Sequence, residues 1–153
     1  MSKYKFKTFD SPQDMYKSYE VAKLLNPKMR EEEYKSVIDT ITKLSDYKQH
    51  VVMQGDEVVS MIATQSVLMM GAVPQLTCKL DNVATLPEHR GYITSELMRR
   101  VKEDVLQKGY GAIHVNCSKD NEKGSKFYKR MGFEDTGNGW VHYLNQENRT
   151  LER

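Results

Sequence analysis

Cysteine is scarce: only Cys78 and Cys117 occur in 153 residues. Two are too few for a disulfide framework, and as free thiols they suit a reducing compartment. The four prolines and nine glycines form no linker, and no segment repeats. One domain over residues 1–153 is therefore expected, with a polar tail from about Gln146 that frays. Long apolar runs are also missing. The stretch around Val67–Val73 is far short of the roughly 20 residues that cross a bilayer, and no apolar segment follows the opening Met-Ser-Lys-Tyr-Lys, so no signal peptide is expected. Charge of one sign is missing too. Lys and Arg total 23 against 21 Asp and Glu, a net charge of +2. That balance argues for no nucleic-acid and no membrane partner. The expected location is the cytoplasm, and no metal site is expected.

What is present suits a globular fold: 39% hydrophobic and 29% charged residues, enough for one core. Tyr4–Thr8 alternates as a strand. Ser11-Pro12 opens a helix that runs to about Leu25 and stops before Asn26-Pro27. Arg30–Leu44 predicts a second helix with Tyr34, Val37, Ile38 and Ile41 on its apolar face. The Glu31–Glu33 run reads as its solvated first turn, where the helix dipole favours negative charge. Strands follow at His50–Gln54 and Val58–Met69, across the turn signal Gly55-Asp56, and at Leu76–Thr85. Thr94–Lys108 predicts an amphipathic helix with Leu97, Met98, Val101, Val105 and Leu106 inward, ended by Gly109. Gly111–Val115 is a strand and Asn121–Met131 a helix. Phe133–Asp135 and Trp140–Leu144 form a hairpin across Gly137-Asn138-Gly139. The order β-α-α-β-β-β-α-β-α-β-β predicts an α/β (α+β layered) fold around one sheet.

Chemistry concentrates in Asp120–Phe133. Asn121 stands at a helix start, where it can cap. Gly124 leaves room for close approach. Tyr128 brings a phenol that can donate a proton, and Gly132-Phe133 returns the chain to the core. By itself, Phe127-Tyr128 reads more readily as packing than as catalysis.

This segment resembles the second cofactor motif of the GNAT acetyltransferase superfamily, Asn-x-x-Ala/Gly-x-x-Phe-Tyr-x-x-x-Gly-Phe. Asn121, Gly124, Phe127, Tyr128, Gly132 and Phe133 meet every position. Leu80–Met98 is similar to the first motif, in which Asn-Val-x-x-x-Pro leads to Arg-Gly and a helix. The resemblance implies a mixed, mostly antiparallel sheet with helices on both faces, and central strands that splay where acetyl-CoA lies. Val83, Ala84 and Thr85 would bond the pantetheine arm. The pyrophosphate would meet Arg90, Gly91, Thr94 and Ser95 at the helix start, with Asn121, Phe127 and Tyr128 completing the cofactor set. The loop departs from the family pattern: aligned on Leu97-Met98 it is one residue short, and Gly91 is its one glycine. Thr94 and Ser95 could donate hydroxyl hydrogen bonds in place of the missing glycines, or simply cap the helix.

The implied reaction is direct acetyl transfer to a primary amine of a small molecule or protein. Tyr128 matches the acid that protonates the leaving thiolate. No motif fixes the base. Asp81 is the leading candidate, ahead of His142 and Tyr143, and Cys117 reads as a thiol without a partner base. By analogy, Met61–Met70 and Asn26–Tyr34 line the acceptor side, and a homodimer is compatible with the family. The short loop motivates an alternative: a catalytically impaired GNAT-like domain that serves as an acyl-CoA-binding or protein-interaction module.

Overall fold

The computed structural model describes residues 3–70, 74–118, 120–137 and 139–144. Seven strands are present: β1 (Tyr4–Phe9), β2 (Lys48–Gln54), β3 (Glu57–Met70), β4 (Pro74–Thr85), β5 (Ala112–Asn116), β6 (Glu134–Asp135) and β7 (Gly139–Tyr143). Their hydrogen-bonding order is β1-β2-β3-β4-β5-β7-β6. β4 and β5 run parallel, whereas β1 with β2, β2 with β3, β5 with β7 and β6 with β7 run antiparallel. This is the open mixed sheet that the element order predicts. The predicted tail from Gln146 lies outside the described residues.

The chain divides into two compact units, one of Met1–Gln65 with Asn82–Met98 and one of Ser66–Asp81 with Arg99–Arg153. In the first, β1 pairs with β2, which a tight turn joins to β3. Gly55 takes φ +61°, which lets the two-residue Gly55-Asp56 loop close between the paired Gln54 and Glu57. Phe9, Met15, Val21, Ile38, Val51 and Met61 fill its core. Truncating Met61, which is fully buried, to alanine should cost about 2–5 kcal/mol.

The predicted helix over Ser11–Leu25 is broken. α1 (Pro12–Met15) passes into a 3-10 turn at Tyr16–Ser18 and resumes as α2 (Tyr19–Ala22). Ser18, wholly buried, leaves helical geometry at φ −88°, ψ 2°. The i→i+4 pattern stops at Ala22 because the amides of Leu24 and Leu25 turn back to the carbonyls of Val21 and Ala22. Leu24 and Leu25 lie in the open, so no burial rewards another helical turn.

α3 (Glu31–Leu44) follows the sequence reading closely. Arg30 is its N-cap, and the Glu33 carboxylate accepts the Arg30 amide at 2.9 Å. Those hydrogen bonds hold the Glu33 carboxyl below its ordinary value. Val37, expected inward, is 60% exposed, whereas Tyr34 and Ile38 are buried.

α4 (Tyr92–Gln107) begins two residues before the expected Thr94. Ile93 is buried and extends the inward stripe of Leu97, Met98, Val101 and Val105, while Leu106 turns outward. In the second unit, β4 pairs in parallel with β5 from Thr77 with Ala112 to Leu80 with Val115, and β7 pairs with β5 and β6. Leu80, Ile113, Val115, Phe133 and Val141 are buried there, beside α5 (Glu122–Arg130).

Candidate active site

In the first unit the residues of interest follow Asn82. The parallel register of β4 ends at Leu80, and Asn82 sits at φ +52°. Asparagine tolerates this left-handed conformation better than most side chains do. Its Oδ1 accepts a hydrogen bond from the Tyr47 phenol at 3.1 Å. Beyond it, Val83 is half-buried, and Ala84 and Thr85 are buried.

Three hydroxyls are linked beside this strand end. Ser60 Oγ donates to the Ala84 carbonyl at 3.3 Å. It lies 2.7 Å from Thr85 Oγ1, which lies 2.7 Å from Thr94 Oγ1. Each hydroxyl has one proton. The two 2.7 Å contacts can be filled with the protons running in either direction along the three hydroxyls. Thr94 is thus partnered within the unit, and the first turn of α4 has backbone amides to offer an anion. Arg90 Nε donates to the Thr85 carbonyl at 3.3 Å, tying the loop to the strand end. Gly91 takes φ +109°, and its carbonyl accepts the Ser95 amide at 3.4 Å, the first turn of α4. Thr94 and Ser95 thus lie inside the helix, and Gly91 occupies the cap position.

In the second unit, Asn121 caps α5, its Oδ1 accepting the Gly124 amide at 2.9 Å. A Cβ on Gly124 would stand 2.7 Å from Asn121 Nδ2 and 3.1 Å from Cys117 Sγ. Glycine there leaves the capping side chain of Asn121 undisturbed. Tyr128, on the buried face of α5, packs edge-on to Phe127 and Phe133 with centroids 5.4 and 5.6 Å away, and tilts against Trp140. Among the described residues its phenol makes no hydrogen bond. Burial, reinforced by the neighbouring Cys117, pushes the phenol far above its ordinary value, so Tyr128 holds its proton throughout the neutral range.

The base candidates differ in setting. Asp81 Oδ1 lies 3.6 Å from Lys79 Nζ, and both side chains are partly exposed. His142 Nδ1 lies 2.7 Å from the Gly132 carbonyl, against the Phe133 ring. Burial lowers the affinity of His142 for a proton, and the ring ties β7 to the end of α5. Among the described residues no three His, Cys, Asp or Glu side chains gather to hold a metal, and no helix is long and apolar enough to cross a membrane.

Residues 13–133 match the model of the acetyltransferase (GNAT) family. The chain belongs to that family. With the family comes the enzyme class, an acetyltransferase.

Solved structures agree on the fold. Aminoglycoside N-acetyltransferase AAC(6')-Iy, solved with CoA, superposes with a TM-score of 0.74 at 15% identity over 87% of this chain and 89% of its own. Glucosamine-6-phosphate N-acetyltransferase from Arabidopsis thaliana gives 0.68 at 14% identity, over 88% and 93%. A conserved protein of unknown function from Enterococcus faecalis V583, described as a probable N-acyltransferase, gives 0.72 at 15% identity. It covers 87% of this chain, which spans only 33% of that one. No curated protein matches the sequence.

In this GNAT chain the first unit gathers Ala84, Thr85, Arg90 and Thr94 by direct hydrogen bonds. The second gathers Asn121, Gly124 and Cys117 at one end of α5, and Phe127 and Tyr128 further along it. Sequence reasoning missed Tyr47, Ser60 and the special conformation of Asn82. One signal was there: asparagine is disfavoured in strands but at home in the left-handed region. The contribution of Ser60 left no trace, because a serine in a buried strand has no characteristic neighbour pattern.

Proposed function

We propose that this enzyme transfers acetyl from acetyl-CoA to a primary amine of a small molecule or protein by direct attack of the amine on the thioester. Acetyl-CoA supplies an activated acetyl group and a thiolate as leaving group. The amides at the start of α4 meet its pyrophosphate beside Arg90, Gly91 and Ser95, and the backbone of Val83–Thr85 bonds the pantetheine arm. Tyr128 gives its proton to the leaving thiolate. A base takes the proton of the attacking amine, and Asp81 is the residue we assign to that step.

The observation that carries this reading is Tyr128, a buried phenol that keeps its proton and donates it to no described residue. Its ring is buried, but its oxygen is not among the buried side-chain atoms left without a partner, so the hydroxyl is open to a reactant. The test is steady-state turnover with acetyl-CoA over a panel of amines. Glucosamine-6-phosphate and an aminoglycoside head that panel, because two structural neighbours are named for them.

The loop favours a second reading, an acyl-CoA-binding domain without turnover. It has a single glycine, and the Thr94 hydroxyl is paired with that of Thr85. Calorimetric binding of acetyl-CoA without turnover of any amine would support it.

A further inference from the structure

Among the described residues Asn82 alone, glycines apart, has a positive φ. It lies two residues past the last parallel pair of β4 and one residue before Val83. A left-handed residue inside a strand re-aims everything after it, and such irregularities gather beside active sites.

Asn82 is held from outside its own strand. Tyr47 Oη donates to Asn82 Oδ1 at 3.1 Å. Gln49 Nε2 donates to Tyr47 Oη at 3.2 Å and to Tyr34 Oη at 2.8 Å. Tyr34 Oη donates to the Met15 carbonyl at 3.1 Å. Each hydrogen of these two phenols and of the amide nitrogen thus has one acceptor, while Gln49 Oε1 is buried without a partner. Gln49 is fully buried, and Tyr34 and Tyr47 nearly so. Hydrogen bonds in such surroundings are strong, because no water can replace a broken link.

We infer that Tyr47, oriented by Gln49, is a positioning residue for acyl transfer: its phenol fixes Asn82 in the left-handed conformation that aims the backbone of Val83–Thr85. The inference rests on the proposed role of that backbone in binding the acyl donor. Groups that bond a reacting molecule act only within a narrow geometry, and a displacement of about 1 Å can cost on the order of a hundredfold in rate. Tyr47 itself touches no reactant.

The experiment compares wild type, Tyr47→Phe, Asn82→Gly, Asn82→Ala and the Tyr47→Phe/Asn82→Gly double variant, with kcat, KM for acetyl-CoA and a melting curve for each. Tyr47→Phe should lower kcat about tenfold in folded enzyme, part-way to that limit. Glycine adopts positive φ unaided, so Asn82→Gly should stay within about twofold of wild type. In that background the change at 47 should have almost no further effect on kcat. A merely structural Tyr47 would lower the melting temperature and leave kcat per folded molecule unchanged, and that result overturns the inference. Equal losses from Tyr47→Phe in both backgrounds overturn it as well. Should Tyr47→Phe fail to fold, the pair at 82 decides: alanine, strained at positive φ, should lose about tenfold where glycine does not, and equal kcat values refute the inference. A wild-type enzyme that neither binds nor turns over acetyl-CoA would instead remove the acyl-transfer reading, and this inference with it. Intact wild-type turnover with insensitive variants removes this inference alone.

Discussion

Gly91 and Gly124 stand at the starts of α4 and α5, and each excludes a side chain for a different reason. Around Gly91 there is open space within 4 Å of where a Cβ would be, but the backbone stands at φ +109°. Around Gly124 the backbone is ordinary helix, but a Cβ would press on Asn121 Nδ2 and Cys117 Sγ. One glycine is required by conformation and the other by packing. A conformational requirement can be met by a single residue in a loop of any spelling. A packing requirement fixes several partners at once, at fixed helical spacing.

On the proposed function the chemical step involves Tyr128 of α5 and the pyrophosphate meets the start of α4, and the sharpest break of that contrast is Tyr128→Phe. If α5 contributes to the chemical step, loss of the phenol should cut kcat about a hundredfold, equivalent to about 2.7 kcal/mol, and leave KM for acetyl-CoA nearly unchanged. The ring contacts with Phe127, Phe133 and Trp140 stay in place, so the melting curve should barely move. Normal kcat in folded Tyr128→Phe would assign the phenol to packing.

Gly91→Ala should act in the opposite column. The strained backbone should cost about 1–3 kcal/mol in denaturant unfolding, and KM for acetyl-CoA should rise while kcat holds. A fall in kcat with unchanged KM would erase the distinction between the two helix starts.

Gly124→Ala should displace the Asn121 side chain and lose the cap, at about 1 kcal/mol. Asn121→Ala should cost a similar amount. The double variant should cost little more than either alone, because both remove the same bond. Additive losses by urea titration would show that Gly124 serves something other than the cap.

The smallest effect is a pH slope. Burial, with the nearby Lys102 charge opposing protonation, holds His142 below its ordinary value, although the Gly132 carbonyl and Glu134 act the other way. The unfolded chain therefore binds a proton at residue 142 more readily than the folded one does. The contribution of His142 to stability is present above about pH 6.5 and is lost as pH falls from there toward the lowered folded value. His142→Gln should flatten stability between pH 7 and 5, and an unchanged slope would place the acid sensitivity elsewhere.

The sequence alone carried the order of elements, the sheet class and α5 with its cap. Those rest on local rules: period-two and helical spacing, a proline that stops a helix, an asparagine that accepts an amide three residues on. It misplaced what depends on distant partners. The first helix breaks at Ser18, which is wholly buried, and Val37 and Leu106 face outward, exposed among the described residues. The start of α4 was set by the φ of Gly91, which spacing does not encode. The conformation of Asn82 was decided by Tyr47, 35 residues earlier. The hydroxyl partner of Thr94 is Thr85, linked in turn to Ser60. A hydrogen-bond chain specifies who donates to whom only when every member is in place. Tertiary structure alone could decide it, because the partners become neighbours only after β2, β3 and β4 have paired.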